Sequence, residues 1–383
     1  MSPIENIEHL VASDVTETVW LRFSRLTSPT LCRRALAARL VGVDPDILDQ
    51  KAKGVSSPVR SLLGYWQTPS ANLNAAILTR YYALLQASVA EQVASADLSI
   101  DLTAVQKHTE FGHGFACLQA DSLDTFPDSC HIACLKSGHF ASYAKSRQLP
   151  VETFAFSVRP RHFEALTQDE RGKLLTLSDL LLRIPELQIP ASECLGRPAL
   201  SFQVGHSDQN PPPSFFSHQD KPTPSGEETT FAALYVEPSS AVTSEWLNSL
   251  GLPILDIEAT ENEMLGRVER FFTGKLTHPR IGTWWDHFSH YKSDYCGTSV
   301  MVPFWGITDP FVLHLATLYG LSIVVRYLPS VWQRVEHGEL DHIRALIENY
   351  IAIFDHIGPQ LALERITGTK LVVATPGSFN APV

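Results

Sequence analysis

The strongest constraint on this chain lies near its C-terminus, in the run DPFVLHLATLYGLSIVVRYLP at residues 309–329. Asp309 followed by Pro310 is a helix cap with proline at the first helical position, where its missing N–H costs nothing. The spacing predicts a helix to about Tyr327. Because it is apolar on nearly every side, it must lie at the centre of a packed structure. His314, Thr317, Gly320 and Ser322 interrupt the apolar run, so it reads as a buried helix and not as a membrane span. Pro329 starts a short helix carrying Trp332 and closed by Gly338. Asp341 then caps a third helix, with Ile343, Leu346, Ile347, Tyr350, Ile351, Phe354 and Ile357 on one stripe, and Gly358-Pro359 is expected to stop it. Three helices with short connections imply an antiparallel layer.

Upstream, Ser70 is expected to cap a helix running to about Val93, with Leu73, Ile77, Tyr81, Leu84, Leu85 and Ser88 at helical spacing. Thr30–Leu40 and Pro45–Ala52 read as shorter helices. Ser178–Arg183 reads as another, halted near Pro185 because the residue before a proline avoids helical geometry. The middle is different: 199–204, 229–236 and 370–374 read as strands. A proline-rich polar loop covers 205–228, with Phe215 and Phe216 as docking points. The expected fold is therefore α+β, mainly α, with helical layers at both ends around a mixed α/β middle. The expected division is an N-terminal helical region at 1–120, the mixed middle at 121–300, and a C-terminal helical region at 301–383 that packs on the N-terminal helices.

At 383 residues, 44% apolar and 19% charged, the chain can bury a large core. Six scattered cysteines read as reduced thiols, and the acidic N-terminus is not that of a signal peptide, which together point to the cytoplasm. The net charge of −11 argues against bulk DNA binding. Arg22, Arg25, Arg33, Arg34 and Arg39 form one basic concentration, read as a solvated helix face or as a local basic pocket.

Well-marked chemistries are absent: no phosphate loop, no GxGxxG after a strand, no HExxH and no GxSxG occurs. His108-Thr109-Glu110 followed by Pro127, Cys130 and Cys134 approaches the zinc-deaminase signature. However, the proline is not adjacent to the first cysteine, and the intervening residues look like a strand. No metal and no cofactor are expected. Arg280 and His287, with six residues between them, match the spacing of a HEPN-type ribonuclease, in which histidine moves the 2′-hydroxyl proton and arginine stabilises the phosphorane. About two such pairs arise by chance in a chain of this composition. The adjoining Trp284-Trp285 suits base stacking or a core, and Arg280 and His287 are the catalytic candidates.

Several segments, in order, resemble the YaaC-like family: ANLNAAILTRYYALLQASVA at 71–90, FGHGF at 111–115, LSDLLLRIPEL at 177–187, and SDYCGTSVMVPFWGITDPFVLHLATLYGLSIVVRYLPSVW at 293–332. The matching positions are Tyr81-Tyr82, His113-Gly114, Ile184-Pro185-Glu186-Leu187, Leu321-Ser322, Arg326-Tyr327, Pro329 and Trp332. The resemblance implies an architecture but no reaction. The aromatic-paired helix near Arg80 is also similar to helices of HEPN-like folds, many of which are inactive partners or serve antiviral systems.

The candidate ligand-binding residues are His113, Arg326, Arg80 and Tyr81. Arg326, at the end of an apolar helix, either pairs with a carboxylate such as Glu186 or Glu364 or holds a phosphate. His113 either faces a ligand or bonds a backbone carbonyl. The expected function is a binding or regulatory subunit of a bacterial multi-component system such as antiviral defence, working as a homo-oligomer or with a partner protein. The alternatives are a HEPN-type RNA- or nucleotide-cleaving enzyme and a nucleotide sensor. A membrane partner is not expected.

Overall fold

The structure, a computed structural model, describes residues 6–12, 14–119, 125–206, 226–236, 241–264, 267–279, 284–293 and 295–374. In chain order its elements begin with β1 (Asn6–Val11), α1 (Val15–Leu26), α2 (Pro29–Arg39), α3 (Pro45–Gln67), α4 (Leu73–Ala94) and α5 (Leu102–Thr109). There follow β2 (Phe115–Gln119), β3 (Cys130–Cys134), α6 (His139–Ser146), α7 (Val151–Phe154), α8 (Gln168–Arg171), β4 (Leu175–Thr176), α9 (Leu177–Leu181) and α10 (Gln188–Leu195). The rest are β5 (Ser201–His206), β6 (Glu227–Tyr235), α11 (Ser244–Ser249), β7 (Leu255–Met264), β8 (Arg267–Pro279), β9 (Ser299–Met301), α12 (Pro310–Tyr327), α13 (Pro329–His337), α14 (Asp341–Thr367) and β10 (Thr369–Ala374). The fold is α+β and mainly α.

The chain forms two compact units, divided differently from the expected 1–120, 121–300 and 301–383. The first takes the residues up to Leu177 together with those from Phe311 onward, and the second is Ser178–Pro310. Residues 125–177 therefore belong with the terminal helices.

In the first unit α3, α4 and α14 pack together, and α12 is buried: Val312, Leu313, Leu318 and Leu321 have no exposed surface. By length and composition α12 would suffice to cross a membrane, but 72% of it is covered within the protein, which accounts for its apolar faces. Gly320 allows the approach, since a Cβ there would lie 2.9 Å from the Ile132 side chain. The helix bounds match the expectation, as do those of α13 with its closing Gly338.

Three expectations need correction. Asn72, not Ser70, caps α4, its side chain accepting from the Ala75 N–H, while the Ser70 hydroxyl accepts from Arg80. The helix from Pro45 does not end at Ala52 but runs to Gln67 through Pro58, because Val55, Val59, Leu62 and Trp66 extend its buried stripe. Likewise Gly358-Pro359 does not stop α14. An interior proline costs about 3 kcal/mol, but the turns beyond it bury Ala362, Leu363 and Ile366, and each large side chain so buried contributes about 1.5–3 kcal/mol. Gly358 serves close packing, since a Cβ there would lie 2.8 Å from both the Phe354 and Trp66 rings.

Two further features secure this unit. Lys51, 1% exposed, points its Nζ at the carbonyls of Val93, Ser95, Asp97 and Ile100, at 2.8–3.1 Å. It thereby caps the C-terminal end of α4, whose last carbonyls lack helical partners. β1 and β10 pair in parallel, from Asn6↔Thr369 to Val11↔Ala374. The strand at 370–374 was legible in the sequence, but its partner was not.

The second unit is built on an antiparallel sheet of order β7-β8-β6-β5-β9. β5 and β6, the two strands expected there, pair with Gln203 opposite Tyr235, while most of the loop 205–228 lies outside the described residues. Phe202, Leu234, Phe272 and Leu276 are buried on the sheet. The leucine-rich helix from Ser178 is α9, beginning at Leu177, and Pro185 opens a 3-10 turn. In that turn the Glu186 carboxylate accepts the Tyr291 hydroxyl at 2.6 Å, and burial raises its pKa.

Candidate ligand site

The FGHGF segment is explained by its backbone. Gly112 and Gly114 have φ of +88° and +82°, a region that penalises side chains. A Cβ on Gly114 would lie 2.7 Å from the Phe140 nitrogen, and one on Gly138 the same distance from the Gly114 nitrogen. This close approach lets the Gly112 and His113 carbonyls accept the N–H groups of His139 and Phe140, at 2.9 and 3.0 Å. Those N–H groups open α6, which has no side-chain cap. The loop thus completes a helix terminus and in doing so fixes the His113 backbone.

Around His113 the structure gathers residues from three elements. Tyr81 of α4 lies edge-on to the imidazole, with ring centroids 5.6 Å apart, and Tyr319 of α12 lies 6.4 Å from it and 5.9 Å from Tyr81. Arg326 lies two turns beyond Tyr319, and its charge acts on His113, Tyr81 and Tyr319 alike. Of the two roles considered for Arg326, no carboxylate pairing forms among the described residues. Its Nε and Nη2 donate to the carbonyl and hydroxyl of Ser322, at 2.9 and 3.1 Å. Glu186 instead takes Tyr291, and Glu364 takes Lys370.

The hydrogen-bond accounting makes this group unusual. The Tyr319 hydroxyl donates to the Phe115 carbonyl, at 3.0 Å. Among the described residues, the Tyr81 hydroxyl, both His113 ring nitrogens and the second terminal nitrogen of Arg326 have no partner. Tyr81 is only 1% exposed, and its hydroxyl lies at the small surface the residue retains. Burial, and secondarily the Arg326 charge, lowers the His113 pKa, so its imidazole is neutral at pH 7. Burial raises the pKa of both tyrosines, which stay protonated. The group therefore presents neutral donors and acceptors beside one fixed cation, a combination suited to an anion attached to a planar body.

Behind it lies His139, 1% exposed. The Ser88 hydroxyl lies 2.7 Å from both the Leu85 carbonyl and His139 Nε2. Having one proton, Ser88 gives it to Leu85 and accepts from Nε2–H, which leaves His139 Nδ1 an acceptor without a partner. Burial takes the His139 pKa down to about 4, with His113 and His108 adding to the effect.

The structure thus brings His113, Tyr81 and Arg326 together, but Arg80 is turned elsewhere. Its guanidinium forms a bidentate pair with Asp355, at 2.6 and 2.9 Å, which Trp66 also joins. Tyr319 was missed, although Tyr319, Ser322 and Arg326 stand at i, i+3 and i+7, the spacing of one helix face.

In the second unit His287 ends a 3-10 turn, Trp284–His287, with its ring stacked on that of His278 at 5.1 Å. Arg280 lies outside the described residues. As expected, the residues between Cys130 and Cys134 form a strand, β3, which separates the two α-carbons by about 13 Å. Cys130 Sγ instead lies 3.3 Å from Cys117 Sγ. Among the described residues no three of His, Cys, Asp or Glu converge on a common point as metal ligands would.

Fold and site together define a mainly helical α+β protein with an aromatic, imidazole and guanidinium cluster beneath a glycine-flanked loop. The chain belongs to the YaaC-like protein family, whose sequence model matches residues 63–366. No curated protein and no solved structure matches it.

Proposed function

We propose that this chain is a binding protein and not a catalyst: a regulatory subunit of a bacterial multi-component system such as antiviral defence, that holds a nucleotide-like anion at Tyr81, His113, Tyr319 and Arg326. The observation that supports this reading is the unpartnered Tyr81 hydroxyl, His113 imidazole and Arg326 terminal nitrogen, among the described residues, in one cluster of aromatic rings under the Arg326 charge. Binding is favoured over acid–base chemistry because burial moves the pKa of His113 and of both tyrosines away from the form that would exchange protons near neutrality. The signal would pass to a partner protein or to a second copy in the cytoplasm. A ligand that binds only the folded state raises the melting temperature. Nucleotides should therefore stabilise the native protein more than they stabilise Arg326→Ala, and an equal shift in the two, or no shift at millimolar nucleotide, would reject the reading.

A second reading, a HEPN-type RNA-cleaving enzyme using Arg280 and His287, is supported by the stacked His278 and His287 rings near Trp284 and Trp285, themselves 3.8 Å apart. If RNA cleavage by the purified protein survives His287→Ala, that assignment fails.

A further inference from the structure

The arginine-rich N-terminal stretch has a use that the His113 site does not absorb. Within the first unit, α1, α2, the end of α14 and the β1–β10 pair enclose a cavity of about 370 Å³, within the range of small-molecule sites. Its floor is apolar, formed by Leu26, Leu36, Val55, Leu363 and Ile366. Its wall carries Arg22 and Arg25 from α1 and Arg34 and Arg39 from α2. All four arginines precede residue 63, where the family match begins.

The four guanidiniums differ in their commitments. Arg22 reaches Glu8 at 2.6 Å, yet its Nε is buried with no hydrogen-bond partner. Arg39 donates to the Ile366 carbonyl at 3.1 Å. The side chains of Arg25 and Arg34 have no hydrogen bond or ion pair among the described residues. Among the described lining residues Glu8 is the one carboxylate beside four guanidiniums, in a chain whose formal net charge is −11. Like charges are gathered here against the balance of the molecule, and among the described residues Arg25 and Arg34 carry no neutralising partner. A monoanion would leave most of that charge uncompensated, whereas a chain of phosphates offers several oxygens to forked donors. The apolar floor calls for more than phosphate alone.

The structure assigns this cavity as a second binding site, for a phosphorylated organic molecule of nucleotide size, with the phosphates on Arg25 and Arg34 and the organic body on the Leu363–Ile366 floor. Calorimetric titration tests it on Arg326→Ala protein, in which the His113 site is disabled, using ATP and inorganic tripolyphosphate at 0.15 M salt. ATP should bind with one-to-one stoichiometry and more tightly than tripolyphosphate, and adding Arg25→Ala and Arg34→Ala should weaken it at least tenfold. Both side chains are exposed, so that protein should keep its circular dichroism and melting temperature. Absence of binding at millimolar ATP, or ATP binding unchanged by the two substitutions, overturns the site. Equal affinity for tripolyphosphate overturns the organic part of the assignment.

Discussion

Replacing Lys51 by methionine keeps the aliphatic stem and removes only the ammonium, so the change isolates one interaction. In the native protein that ammonium serves four carbonyls at 2.8–3.1 Å. The Asp97 carbonyl also accepts the Ile100 N–H, so it keeps a donor after the substitution. Three carbonyls, of Val93, Ser95 and Ile100, lose the donor described here. An acceptor left unsatisfied in a buried place costs about 1–3 kcal/mol, and water entering the vacated space would recover part of that. The expected loss is about 3–5 kcal/mol, a large share of the stability of an ordinary domain. Urea unfolding followed by far-ultraviolet circular dichroism reads it, because the signal comes mainly from the helical unit. Lys53→Met, on the exposed side of the same helix, is the control and should change stability by no more than about 0.5 kcal/mol. A loss below about 1 kcal/mol for Lys51→Met would refute the claim that the ammonium organises the end of α4.

Other perturbations follow from the same geometry. Asp355→Ala strands the Arg80 guanidinium, 8% exposed, without its counter-charge and should cost about 3–5 kcal/mol in urea unfolding. Gly138→Ala forces a positive φ on a side chain and drives a Cβ against the Gly114 backbone, so it should lower the melting temperature and abolish any nucleotide-induced shift at the His113 site. Burial puts the folded-state pKa of His139 at about 4 and that of His314 at about 3, below the ordinary 6.5. Each is stable as the neutral form, so its contribution is complete above pH 6.5 and is lost as the pH falls toward those values. At pH 5 each should cost about 2 kcal/mol. Urea unfolding at pH 7, 6 and 5 should show this loss, and a flat profile would contradict it.

Sequence patterning revealed the elements whose signals are local. The Asp309-Pro310 start and the Pro329 break bounded α12 correctly, and alternation located β5 and β6. It failed where distant contacts decide. Nothing near Pro359 announces that α14 continues, because the continuation is held by burial of Ala362, Leu363 and Ile366. Nothing near Asn6 announces a strand, because its partner begins at Thr369. At the site, the HG dipeptide and Arg326 stood out as motif positions, while Tyr319 was hidden in a helix apolar on every face. Arg80 looked available only because Asp355, 275 positions away, cannot be paired with it from sequence.

The discontinuity of the first unit sets an order of events during synthesis. The second unit, 178–310, is contiguous and is wholly translated before α12 has begun. By then α3 and α4 have long left the ribosome, with α4 still lacking α14, which packs on it, and Trp66 of α3 lacking its stacking partner Phe354. At about 5–20 residues per second, the stretch from 311 to 374 takes a further 3–13 s or so. For that interval the larger part of the nascent chain exposes apolar helix faces, while the insert between its halves can already be folded. A ribosome stalled within α14 should therefore hold a protease-resistant second unit and a sensitive first one. The chain's demand for a holding chaperone should end only when β10 emerges to meet β1.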